Sequence, residues 1–293
     1  ATFLDMDTDG DLDLYVTNYI AWSPETELDC SQMAAGRDYC SPRNYDAPAR
    51  DLLYENTGDG RFRDATVTSG IDTSMGNGLG VASVDFDDDG LPDIFVANDG
   101  TRDLLWRNEG SGRFTDIGLI AGCALDDEGR PKAGMGVTTT DIDDDGDMDL
   151  LVCNLTGESD SLFRNEGSFF VDVTASAGLK TNTKPFTRFG MAWLDFDNDG
   201  MLDLYEANGR VFRTPLPDGV DPYAQENMLL RGTAPGRFEE VLPRGGVSDP
   251  ISLTSRAAAF GDLDGDGGID IVVVNRDAPA TVLRNVAQDS GHW

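Results

Sequence analysis

The chain has 293 residues, 39% of them hydrophobic, and a formal net charge of −32. Its size and apolar content suit a folded globular chain, while a charge of that sign repels nucleic acid and anionic lipid and excludes both as main partners. No apolar run approaches the roughly 20 residues that span a bilayer, which excludes direct membrane insertion.

The chain opens with Ala1 to Leu4, then an acidic segment DMDTDGDLD from Asp5 to Asp13, then an apolar run ending at Asn18. A polar insertion follows, around residues 20 to 50, and its segment DCSQMAAGRDYC carries Cys30 and Cys40. A disulfide between them would stiffen the loop by about 2 to 3 kcal/mol. A metal site fits these two cysteines less well, because their spacing is too wide for C-x-x-C and no histidine is near. Cys153, in DLLVCN, is expected as a buried thiol, and Cys123 has no partner the sequence can name.

The next stretch shows one complete unit: GLGVASV, an acidic loop from Asp85, LPDIFVAN, DLLWRN and GRFTDIG. These are four short strands, with a glycine-rich turn between the third and fourth. The string D-x-D-x-D-G-x-x-D starts at Asp5, Asp85, Asp141, Asp195 and Asp262, and an asparagine lies thirteen residues on at Asn18, Asn98, Asn154, Asn208 and Asn275. The third strand recurs as DLLYEN, SLFRN, MLLRG and TVLRN and the fourth as GRFRDAT, FFVDVT and GRFEEV, although the fifth unit ends before a fourth strand. The second strand is apolar at nearly every position, which a strand covered on both faces requires. Met6, Phe86, Ile142, Phe196 and Leu263, at the second loop position, are each expected to enter the core.

The sequence therefore predicts an all-β chain, a β-propeller of four-stranded blades with at least five repeats, over residues 1–286. Residues 287–293 are expected to begin a linker or a further module. Only four residues precede the first acidic loop, so the chain is expected to be a piece of a longer protein. The excess length between units falls around residues 20 to 50 and 209 to 227, where a rigid scaffold usually carries its binding surface.

The acidic loops have the chemistry of a hard-cation site. Calcium takes six to eight oxygens, and a tight loop can supply them at alternate positions. In the second loop Asp85, Asp87 and Asp89 give carboxylates, Gly90 allows the turn, Leu91 offers its carbonyl and Asp93 closes the shell. The same roles fall on Asp5, Asp7, Asp9, Asp11 and Asp13, and on Asp141, Asp143, Asp145, Asp147 and Asp149. They recur on Asp195, Asp197, Asp199, Met201 and Asp203, and on Asp262, Asp264, Asp266, Gly268 and Asp270. Unit charges about 4 Å apart repel by roughly 4 kcal/mol at an effective dielectric of 20, so the loops call for a cation. About five Ca²⁺ sites are expected. An EF-hand is set aside because its bidentate glutamate position is held by Val16, Val96, Val152, Glu206 and Val273, and a strand follows the loop.

The segments GVASVDFDDDGLPDIFVAN, GVTTTDIDDDGDMDLLVCN, GMAWLDFDNDGMLDLYEAN and AAAFGDLDGDGGIDIVVVN resemble the FG-GAP or VCBS repeats, whose propellers include the integrin α-subunit head. More narrowly, GRDYCSPRNYDAPARDLLYENTGDGRF and DEGRPKAGMGV resemble the cartilage acidic protein family and its bacterial relatives. That resemblance implies an ASPIC-type module after a propeller of about seven blades, with RNVAQDSGHW as the passage into it.

Function is expected to be binding rather than catalysis. The single histidine is His292, beside the terminus, which disfavours histidine triads and zinc hydrolysis. A polysaccharide lyase on a calcium propeller is the alternative, with Lys132, Lys184 and Arg188 as candidate bases. The favoured reading is an interaction or adhesion module for an extracellular protein or glycan, secreted, periplasmic or at the cell surface. Trp22, Tyr39, Tyr45, Phe186 and Tyr223 are aromatic residues it could present. Asn154 begins a glycosylation sequon, but as one of the repeated asparagines it is read as structural.

Overall fold

A computed structural model describes residues 1–32, 36–215, 217 and 219–287. Five antiparallel sheets follow one another as the blades of a propeller. Blade 1 comprises Thr2–Leu4, Asp13–Val16, Leu52–Asn56 and Phe62–Asp64, and blade 2 comprises Gly78–Val84, Asp93–Asn98, Leu104–Asn108 and Phe114–Asp116. Blade 3 comprises Val137–Thr140, Asp149–Val152, Ser161–Asn165 and Phe170–Asp172, and blade 4 Arg188–Leu194, Asp203–Asn208, Met228–Ala234 and Arg237–Glu240. Among the described residues blade 5 has three strands, Ser255–Gly261, Asp270–Asn275 and Thr281–Leu283.

The unbroken apolar second strands are explained by the seams between blades. Alternate side chains of a strand point to opposite faces, so Ile94 and Val96 pack into one cluster with Leu4, Tyr15 and Leu53 of blade 1. Phe95 and Ala97 enter a second cluster with Leu150, Val152 and Phe163 of blade 3. A third cluster joins Leu151 and Leu162 to Leu204 and Leu230, and a fourth joins Tyr205 and Leu229 to Ile271 and Val273. Among the described residues no such cluster joins blade 5 to blade 1.

The two end blades consequently expose what inner blades bury. The phenylalanine of the fourth strand faces the preceding blade, so Phe114, Phe170 and Phe238 are buried while Phe62 of blade 1 lies open. The apolar residue of the acidic loop faces the following blade. Met6 is 2% exposed, but Leu263 is 60% exposed, contrary to the expectation that all five enter the core. Among the described residues nothing covers it, or Val274 and Val282 beside it.

The first strands converge at the axis and touch through glycine. A Cβ on Gly80 would lie 2.3 Å from the Met135 carbonyl oxygen, one on Gly136 2.2 Å from that of Phe189, and one on Gly190 2.3 Å from the Ala258 nitrogen. By strand register Gly80 pairs with Ala97, Gly190 with Ala207 and Ala257 with Val274. Blade 5 thus carries alanine at the position where inner blades need glycine.

The insertion of blade 1 forms a strap across this open side. Cys30–Gln32 and Gly36–Asp38 pair as a hairpin, and Cys30 and Cys40 form the expected disulfide. Asp38 then accepts hydrogen bonds from the Arg213 backbone at 2.7 Å and the Tyr223 hydroxyl at 2.9 Å. The Tyr39 hydroxyl accepts one from Arg276 at 3.3 Å. These contacts tie blade 1 to the loops of blades 4 and 5.

Gly136→Ala is expected to cost about 1 to 3 kcal/mol through overpacking against the Phe189 backbone. Gly261→Ala, whose Cβ would meet nothing within 4 Å, should be close to neutral. Denaturant unfolding of the two variants checks this, and equal stabilities would refute the account of the axial contacts.

Candidate metal centres and the opposite face

Each acidic loop joins the end of a first strand to the start of a second, and its backbone is held the same way in all five blades. The Asp85 carboxylate accepts the Asp89 N–H at 3.2 Å and the Gly90 N–H at 2.8 Å, and Asp89 accepts the Leu91 N–H at 2.9 Å. Equivalent bonds form around Asp5, Asp141, Asp195 and Asp262. Two consecutive turns to positive φ do this. Gly90 has φ +88° and Asp88 φ +59°, with Gly146 at +98° and Asp144 at +63° in the next loop. Such values favour glycine, and aspartate or asparagine tolerates them better than most residues.

The last aspartate locks the loop to the blade. Asp93 accepts the Phe86 N–H at 3.1 Å with one oxygen and the Asn108 N–H at 2.8 Å with the other, so loop and third strand share one buried carboxylate. Asp13, Asp149, Asp203 and Asp270 do the same with Met6 and Asn56, Ile142 and Asn165, Phe196 and Gly232, and Leu263 and Asn285.

Three carboxylates per loop bring oxygens within 4.8 Å of one another: Asp5, Asp7 and Asp13; Asp85, Asp87 and Asp93; Asp141, Asp143 and Asp149; Asp262, Asp264 and Asp270. In blade 4 the group is Asp195, Asp197 and Asp199 rather than one including Asp203. Asp9, Asp89, Asp145 and Asp266, expected as ligands, stand outside these groups, with one oxygen bonded to the N–H of Asp11, Leu91, Asp147 or Gly268.

The middle aspartate tests whether the residues fit a cation. One oxygen each of Asp7, Asp87 and Asp143 is buried without a hydrogen-bond partner. Burial, then neighbouring aspartates, push all three above the usual carboxylate range. Burial likewise raises Asp93 to about 7 and Asp149 and Asp203 to about 6, despite their N–H partners. A buried all-oxygen cluster that resists ionisation is what a hard divalent cation would relieve.

An arginine on the third strand leans over four of the loops. Arg164 Nε lies 3.8 Å from Asp143, Arg284 Nε lies 2.5 Å from Asp264, Arg231 pairs with Asp197, and Arg107 stabilises the charge on Asp87. Blade 1 has Glu55 there instead, which raises the Asp7 pKa further. Glu55 is itself paired with Arg63 of the fourth strand, so this loop has no arginine directed at its aspartates from the third strand.

Residues 38–96, 85–152 and 141–206 match the FG-GAP-like repeat, each window ending at a second strand. The chain belongs to the FG-GAP-like repeat family. It is 31% identical over 177 residues to human cartilage acidic protein 1, covering 57% of this chain and 25% of that protein. With mouse cartilage acidic protein 1 it shares 29% over 244 residues, covering 79% and 34%. The chain therefore spans a quarter to a third of the length of these relatives. Among solved structures, a Bifidobacterium bifidum protein provisionally assigned as an exo-β-1,3-galactanase aligns over 98% of this chain and 97% of its own, with 11% identity and a TM-score of 0.42.

Sequence reasoning missed the asparagine that closes the third strand. Asn108 donates its side-chain amide to the Met6 carbonyl of the preceding blade at 3.0 Å, Asn165 to that of Phe86 at 2.8 Å and Asn285 to that of Phe196 at 2.7 Å. The loops of blades 1, 2 and 4 are thereby bonded to the next blade, and the recurring R-N dipeptide was the available signal. The strand-ending asparagines are structural as expected. Asn154 is buried and donates to the Ser159 carbonyl at 2.9 Å.

The candidate lyase bases are not brought together as free groups. Arg188 Nε pairs with Asp160 at 2.6 Å and both side chains are fully buried, beside Glu206, whose carboxyl burial raises well above its usual range. Lys132 is half-buried and donates to four oxygens of Ser159, Asp160 and Ser161. Lys184 is exposed. His292 lies outside the described residues. Of the aromatic candidates, Trp22 and Tyr39 are exposed, whereas Phe186 is buried with the Arg244 guanidinium over its ring.

Without bound cations the folded chain holds protons on Asp93, Asp149 and Asp203 that the unfolded chain, with pKa near 3.8, has released. Folding therefore takes up protons between about pH 4 and pH 7, and stability falls as pH rises through that window. Glu206 and Asp103, both raised by burial, act with the same sign. Metal-free protein is expected to melt higher at pH 5 than at pH 7.5, and a melting point that rises over this interval would contradict the assignment.

Proposed function

We propose that the chain is an extracellular calcium-binding propeller that acts as an interaction module for a protein or glycan, without catalysis of its own. The observation that carries the calcium reading is the buried, unpartnered oxygen on Asp7, Asp87 and Asp143, presented by a loop whose other carboxylates are fixed by backbone N–H groups. The groups Asp5, Asp7 and Asp13, and their counterparts in the other blades, would hold the ions. Calcium would supply positive charge that lets the cluster ionise and clamp loop, second strand and third strand together.

The binding reading is supported by the division of labour between the two ends of the blades. First strands run toward the acidic loops, and second strands run back toward the strap and the long connection after Asn208. The scaffold thus keeps its cation sites at one end and its irregular loops at the other, where recognition usually resides. The disulfide in the strap fits an oxidising compartment and millimolar calcium. Among the described residues no helix is long and apolar enough to cross a membrane. The internal bonding of Lys132 and Arg188 disfavours the lyase alternative.

Asp87→Asn and Asp143→Asn should each lower calcium stoichiometry by one, read by calorimetry on metal-stripped protein, and an unchanged count would refute the ligand assignment. The blade 1 site, with Glu55 in place of arginine, should be the last to lose its ion to a chelator. Calcium-loaded protein should be retained by particular members of an array of glycans and extracellular proteins, and chelation should abolish this. Retention by none, or the appearance of new reducing ends in an acidic polysaccharide, would contradict the module reading.

A further inference from the structure

At the strap end of the axis, where the first strands begin, lies a cavity of about 410 Å³. All five blades or their connections reach it: Tyr39 and Arg43 from the strap, Leu79 from blade 2, Met135 leading into blade 3, Phe189 from blade 4 and Arg256 from blade 5. Its size lies within the range of roughly 300 to 1,000 Å³ typical of small-molecule sites and its walls are largely aromatic and aliphatic.

Its charges are arranged unequally. The acidic groups of the wall are already engaged: Asp99 accepts the Tyr19 hydroxyl at 2.6 Å and Glu158 accepts the Ala133 N–H at 2.8 Å. Two of the basic groups are not matched by a carboxylate. Arg256 sits over the Phe189 ring, its Cζ 4.5 Å from the centroid, and is tethered to the carbonyl oxygens of Gly209, Ser255 and Arg210. Among the described residues the Arg43 side chain donates only through Nε, to the Gly100 carbonyl at 3.3 Å. Neither arginine forms an ion pair among the described residues, in a chain with 54 acidic side chains and 22 basic ones. Asp99 feels the Arg43 charge and Asp221 that of Arg256, yet neither carboxylate comes within ion-pair distance, which leaves the donor edges of both guanidinium groups without a carboxylate among the described residues. Such groups, held in place by neutral carbonyls and an aromatic plate, match a planar carboxylate.

We infer that this axial cavity binds a small ligand with a carboxylate on a six-membered ring, the carboxylate meeting Arg43 and Arg256 and the apolar ring face lying on Tyr39 or Phe212. The inference rests on the chain being a binding module and names the ligand class of its loop-bearing end. An acidic sugar and a free aromatic acid share this chemistry.

Equilibrium binding to the calcium-loaded chain, followed by ligand-observed NMR at millimolar probe, separates them. The probes are methyl glucuronide, the uncharged methyl glucoside and benzoate. Binding of methyl glucuronide or benzoate with no binding of methyl glucoside is the expected result, the first identifying a sugar acid and the second an aromatic acid. Arg43→Gln, which removes one side-chain hydrogen bond to the Gly100 carbonyl, should leave the melting point nearly unchanged and weaken binding about tenfold or more. No binding of either acid, equal binding of the neutral glucoside, or an unaltered affinity in Arg43→Gln would overturn the inference. Capture of a protein or a neutral glycan on the array would then still leave the module reading in place.

Discussion

One buried carboxylate per blade holds this fold together. Asp93 and its counterparts bond the loop with one oxygen and the third strand with the other, and burial raises the Asp93 carboxyl to about 7. The first, second and third strands of a blade meet around that residue. Its neighbours Asp85 and Asp87 add charge to the same point. The arrangement is economical in backbone terms, because the Phe86, Asp89, Gly90 and Leu91 N–H groups all find carboxylate partners, but it concentrates negative charge that needs a counter-ion. In four blades an arginine supplies part of it from the third strand, and in blade 1 none does.

The second level of organisation is the seam. Each seam is built from apolar side chains of two blades and fastened at the acidic-loop end by an asparagine amide where the third strand of the following blade carries one, as at Asn108, Asn165 and Asn285. The seam between blades 3 and 4 lacks this bond because Gly232 replaces the asparagine, and there a Cβ would lie 2.3 Å from the Leu202 carbonyl. That same seam encloses the Arg188, Asp160 and Glu206 cluster. Blades 1 and 5 are linked differently, by a disulfide-stapled strap whose Asp38 and Tyr39 reach loops far away in sequence.

Much of this was legible in the amino-acid order because it depends on short-range spacing. The alternate aspartates, the glycine at the sixth loop position and the doubly apolar second strand are local signals, and they led to blades, loops and seams. Cys30 and Cys40 were legible for the same reason. What stayed hidden depends on distant partners. The Asn108 amide bonds a residue 102 positions earlier, and Asp38 bonds Tyr223, 185 positions later. Lys132 and Arg188 looked like available bases because their partners in Ser159 to Ser161 sit on a different stretch of chain. Leu263 matched the core pattern of its four counterparts, yet it is exposed because none of the described residues packs over it, and no local motif encodes that.

The central claim is that the acidic loops are structural calcium sites. Thermal unfolding at neutral pH in millimolar calcium, compared with excess chelator, tests it most directly. A site held at 100 times its dissociation constant adds about 2.7 kcal/mol, so several independent sites should raise the melting point by tens of degrees. Coincident melting curves in the two conditions would show that the loops are solvated turns and would remove the basis of the account.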